Sequence, residues 1–101
     1  MGLITLGGAK MLAKNLKRIL QNEFDEETRL SHCQEAIAEA FDFSSSSEMF
    51  SLLPMARSWN REWCVNRLVD EGQVSSPENA EDAVDELEER FGFLTEGLPD
   101  E

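Results

Sequence analysis

Apolar residues recur at steps of three and four along this chain, and no segment reads as a strand. Residues spaced i, i+3 and i+4 share one face of an α-helix, so each such stripe predicts a helix with a side to bury. Between Ala9 and Phe24 the stripe is Leu12, Leu16, Ile19, Leu20 and Phe24, with Lys10, Lys14, Lys17 and Arg18 on the other side. The acidic run Asp25-Glu26-Glu27 ends that segment. A second helix is expected from Ser31, whose hydroxyl would cap the first-turn amides, with Gln34 completing a capping box. Cys33, Ile37, Ala40 and Phe41 form its apolar face, and Ser44-Ser45-Ser46-Ser47 breaks it. Ser45 with Glu48 offers a further box, opening a short helix through Met49, Phe50, Leu52 and Leu53. Pro54 stops it, because the residue before proline is pushed out of helical geometry.

A fourth helix is read from Ser58 to Glu71, stopped at Gly72, with Trp59 and Trp63 one turn apart beside Cys64, Val65, Leu68 and Val69. The fifth has the fullest set of local signals. Ser76 caps, Pro77 takes the first helical position, and Glu78 suits the positive helix end. Its stripe is Ala80, Ala83, Val84, Leu87 and Phe91, followed by Gly92. The expected fold is all-α, a compact bundle of about five short helices forming one domain over residues 1–101, with 1–8 and 95–101 as flexible ends. At 41% apolar content the chain can bury a modest core.

Negative charge is concentrated at one end. From Asp70 to Glu101 there are twelve acids against a single base, Arg90, which accounts for −11 of the chain's net −12. Such a field repels nucleic acid and lipid headgroups and attracts basic surfaces. No run approaches the roughly 20 apolar residues of a membrane span, and the start lacks the basic and apolar parts of an export signal. A cytoplasmic location is the default expectation, with neither membrane nor direct nucleic-acid contact.

The residues that carry chemistry are few. Cys33 and Cys64 fall on apolar helix faces, where a free thiol behaves as a small hydrophobe. His32 is the chain's one histidine, and its neighbour Cys33 points about 100° away around a helix, poor geometry for a dyad. Three Cys and His residues in all fall short of a structural zinc site. The acids of the fifth helix lack a calcium loop, and Gly7-Gly8 lacks the context of a phosphate cradle. No catalytic, metal or cofactor site is expected.

Leu30, Ser31, Gln34, Glu35, Ala38, Phe43, Glu48 and Met49 together resemble a short helical element found in small bacterial and plasmid-borne proteins and in glyoxalase-related proteins. Asp42 stands where that element has glycine, and Ser46 where it has tryptophan. The resemblance covers residues 30–49 and implies a helical fold and a bacterial or mobile-element origin. It carries no assigned activity. A second stretch, from Leu68-Val69-Asp70-Glu71-Gly72 to Leu87, is similar to the two helices of ribbon-helix-helix repressors, without the preceding strand or the basic reading surface.

Two features are candidates for function. Glu78, Asp82, Asp85 and Glu89 run up one side of the fifth helix, flanked by Glu81 and Glu88. Like charges at these spacings cost a few tenths of a kcal/mol per pair, so a compensating basic partner is expected. The first helix's lysines are the internal candidate and another protein the external one. Trp59 and Trp63, interleaved with Arg57, Arg61 and Arg67, combine residue types enriched at interface hot spots. The leading expectation is a non-enzymatic protein that uses Glu78, Glu81, Asp82, Asp85, Glu86, Glu89, Trp59 and Trp63 to bind a basic protein surface. A sharper form makes it a nucleic-acid-mimicking inhibitor of phage or plasmid origin. The rivals are a helical homo-oligomer with a merely solubilising acidic face and, further off, a Cys-dependent enzyme.

Overall fold

Thr5 sets the first helix three residues earlier than the apolar stripe suggests. The computed structural model describes residues 2–70 and 74–90. In it β1 (Gly2–Ile4) leads directly into α1 (Leu6–Glu23). The Thr5 hydroxyl accepts the Gly8 N–H at 3.0 Å, satisfying one of the free amides of the first turn. A Cβ on Gly8 would lie 3.0 Å from that hydroxyl, so the small residue lets the cap close. Residues 2–8, expected as a loose end, are therefore strand and helix. Leu12, Leu16, Ile19 and Leu20 are buried as the stripe requires.

Asp25 takes φ 55°, the left-handed conformation that ends α1, and the Glu26 N–H closes back onto the Leu20 carbonyl at 2.9 Å. Helix α2 (Leu30–Ala40) starts one residue before the expected cap. Arg29 is its N-cap and makes no side-chain cap bond, so Ser31 lies inside the first turn and the Ser31–Gln34 box does not form. The loop decides this: Thr28 is buried with its hydroxyl 3.7 Å from the Cys33 sulfur, which holds Arg29 extended. At the far end Asp42 sits at φ 67°. Glycine adopts that conformation without cost, and Asp is among the few residues that tolerate it.

Helix α3 (Ser46–Leu52) is capped by Ser45, whose hydroxyl accepts the Glu48 N–H at 3.1 Å. The Glu48 carboxylate reaches one residue beyond the expected box and accepts from the Ser44 N–H at 2.8 Å. After the cis Leu53–Pro54 bond, β2 (Met55–Arg57) pairs antiparallel with β1 in the register Gly2↔Arg57, Leu3↔Ala56, Ile4↔Met55. This ribbon was not expected. Three-residue strands are too short to display a period.

Helix α4 (Arg61–Asp70) begins three residues later than the sequence suggests. Asn60 marks the start: its side-chain oxygen accepts the Trp63 N–H at 3.3 Å and its own N–H bonds the Ala40 carbonyl at 2.9 Å. Helix α5 (Pro77–Arg90) follows the sequence signals, with the Ser76 hydroxyl accepting the Asn79 N–H at 3.1 Å. The stops expected at Gly72 and Gly92, with Glu71, Phe91 and the tail, lie outside the described residues. Helix α1 packs on α2 and α5, and α4 packs on the same two, so the four close into a ring with α3 against α2. Its centre holds Leu16, Ile37, Leu68, Val84 and Leu87, all buried. The protein is an all-α bundle, with five helices and a two-stranded ribbon among the described residues.

Candidate interaction surface

Helix α5 turns Ala80, Ala83, Val84 and Leu87 inward, which forces its acids outward. Glu78, Glu81, Asp82, Asp85 and Glu89 are exposed and Glu86 is half-buried. They do not form one uniform face. Arg61, in the first turn of α4, pairs with Asp85 and lies 3.7 Å from Glu88, and its guanidinium also donates to the Glu81 carbonyl at 3.3 Å. Arg90 pairs with Glu86 at 2.9 Å and with Glu23 of α1 at 2.7 Å. Among the described residues Glu78, Asp82, Glu89 and the Glu81 carboxylate have no ion-pair partner.

Internal compensation therefore exists, but from residues the sequence reading did not select. Lys10, Lys14, Lys17 and Arg18 of α1 make no ion pair with α5 among the described residues. Lys17 bonds Gln21 within its own helix at 2.9 Å, and the Lys10 ammonium lies 5.9 Å from the centre of the Phe50 ring. Arg61 succeeds because α4 and α5 pack side by side. Partly exposed pairs of this kind contribute about 0–1 kcal/mol each, so their effect is to set which carboxylates remain available.

The two tryptophans part company. Trp59 precedes α4 instead of lying on it, so the expected one-turn spacing on a helix does not arise. Its ring packs edge-on against Phe41, with centroids 5.0 Å apart, and its indole N–H donates to the Glu88 carboxylate at 2.7 Å. A buried indole needs such a partner. Trp63, on the first turn of α4, remains 40% exposed. Glu88 thus receives both Trp59 and Arg61, a role that its place at the flank of the acidic stripe did not advertise.

An open groove between α4 and α5 is lined by Arg61, Glu62, Val65, Asn66 and Glu81. Glu62 and Glu81 are exposed at its rim and make no ion pair among the described residues, while Val65 supplies an apolar floor. That combination suits a long basic side chain, which lays its methylenes on apolar surface and keeps its charge in water.

Cys33 and Cys64 are free and buried, as core residues. Burial raises both thiols above the ordinary cysteine value, Cys64 the further, so they stay protonated and poorly nucleophilic. His32 is the third residue of α2, half-buried, with Nδ1 enclosed and without a hydrogen-bond partner. Among the described residues no three His, Cys, Asp or Glu side chains are grouped to hold a metal ion, and no helix is long and apolar enough to cross a membrane. No protein-family model matches the chain, and neither the curated proteins nor the solved structures yield a significant match.

Proposed function

We propose that this chain is a non-enzymatic interaction protein whose α5 face and adjoining α4–α5 groove receive a basic surface of another protein. The observation that carries the reading is the set of exposed carboxylates left without an internal partner: Glu78, Glu81 and Asp82 near the start of α5 and Glu89 near its end. Desolvated weakly and unpaired, they are available to lysine and arginine, and they steer such a surface from a distance within the Debye length. The protonated, buried thiols support the non-enzymatic part.

Charge density helps to choose the partner class. Glu78 and Glu89 are about 16 Å apart along the helix axis at 1.5 Å per residue. Four unpaired charges over that length give about one per 4 Å, against one per about 1.7 Å of duplex axis. This sparse pattern favours a basic protein patch as the target over imitation of a duplex.

The test compares two variants with the same change in net charge, E78K/D82K on the face and E27K/D70K off it, in the α1–α2 loop and at the end of α4, titrated with a ten-residue oligolysine. The face variant is expected to lose about tenfold in affinity at low salt and the control much less. Equal losses would mean that net charge alone governs capture, and the localised reading would be abandoned.

A further inference from the structure

The ribbon leaves β2 with one unused edge. Among the described residues the sheet has only β1 and β2, so β2 is paired along one side alone. Met55, Ala56 and Arg57 all line a single open groove, with Asp42, Trp59 and Trp63. Successive strand residues point to opposite faces, so a groove that touches three in a row follows the strand's edge and not a face. In an antiparallel ladder alternate residues turn their N–H and C=O groups to opposite sides. At least one residue of β2 therefore directs both groups into this groove, and no hydrogen bond outside the ladder takes them among the described residues.

The walls are built for a side chain. Trp59 is fixed by Phe41 and Glu88, and Trp63 stands exposed across from the strand. Arg57 is internally engaged: its guanidinium stacks 4.4 Å from the Phe43 ring centre and donates to the Asp42 carbonyl at 3.3 Å. The Asp42 carboxylate, 70% exposed, lies 3.7 Å from that guanidinium, so the two charges at the mouth offset each other. The open hydrogen-bonding edge calls for an extended backbone, the exposed indole for an apolar side chain, and the charge of the whole chain, −12, for lysine or arginine. A second copy would bring a further −12 to the same edge and is disfavoured by its own field.

We propose that the free edge of β2 and the Trp63 wall form a strand-addition site for an extended basic peptide of another protein. Such a peptide carries lysine or arginine at alternate positions and an apolar residue against Trp63. This site is separate from the α5 face and stands whether or not that face binds anything.

The probe is the peptide Lys-Val-Lys-Val-Lys-Val-Lys, compared with the same peptide N-methylated at alternate amides, which keeps its charge and loses one hydrogen-bonding edge. Binding is followed by amide hydrogen exchange of the whole chain and by indole fluorescence. At saturation, exchange within 55–57 is expected to slow about tenfold, the methylated peptide to bind about tenfold more weakly, and W63A to weaken the parent peptide by a similar factor. Equal affinity of the two peptides would assign the binding to charge alone and overturn the proposal. So would the absence of binding, unchanged exchange at 55–57, or protection of 55–57 in the free chain with a sedimenting dimer.

Discussion

Glu26 shows how much one carboxylate does in this molecule. It is only 9% exposed, and it accepts from the Ser75 N–H at 3.1 Å, the Ser75 hydroxyl at 2.7 Å and the Asn79 side-chain amide at 2.9 Å. These donors, the Asn79 amide foremost, hold its pKa below the ordinary glutamate value despite the opposing cost of burial. The unfolded chain binds the proton more readily, so the bond stabilises the fold above the ordinary glutamate range, near about pH 4.3, and is lost as pH falls through the lower folded value. Glu26→Gln is expected to cost about 2 kcal/mol at pH 7 and much less at pH 3, which urea melts at the two values would register. A loss independent of pH would place the effect in packing instead. Nothing local announces this residue. In the sequence it is one of three acids ending a helix, and its partner Ser75 is 49 positions away.

At the scale of elements, what was legible depended on how local the signal is. The stripes of α1 and α5, the Ser45 and Ser76 caps and the Pro54 stop need only neighbours within a turn, and the structure follows them. Three starts differ from the sequence expectation: the Thr5 cap begins α1 three residues earlier, and elsewhere tertiary contacts choose among several acceptable caps, Thr28 packing moving α2 and the Asn60–Ala40 bond moving α4. For α4 the spacing of Trp59 and Trp63 imitated a helical stripe, while Asn60, a strong N-cap residue, carried the correct signal. Asn60→Ala is expected to destabilise by about 1 kcal/mol, and Asn60→Asp to restore most of that, since its carboxylate also accepts from first-turn amides. Chemical denaturation of both variants checks this; equal loss in the two would locate the effect in the backbone tie to Ala40. The candidate surface was legible to the same degree. Its carboxylates could be placed on one helix, but Arg61, which removes Asp85 from the available set, comes from a different helix.

The whole molecule carries charge it does not neutralise. The arginines at 57, 61 and 90 are all engaged with acids, and Arg67 pairs with Glu39 at 2.6 Å. Among the described residues the lysines of α1 make no ion pair with the acids of α5. Self-repulsion among the remaining carboxylates should weaken the fold at low ionic strength. Raising salt from about 10 mM to about 150 mM, which shortens the Debye length from about 30 to about 8 Å, is expected to raise the thermal midpoint by about 3–5 °C. A fall would show that the arginine pairs outweigh the repulsion.

The concentration of acids on α5, where the α1 lysines make no ion pair among the described residues, has a mechanical consequence. A body whose positive and negative centres do not coincide experiences torque in a field, and a nearby cationic patch supplies one. The molecule would rotate toward such a patch before touching it, so that more collisions arrive with α5 foremost and fewer are wasted on other flanks.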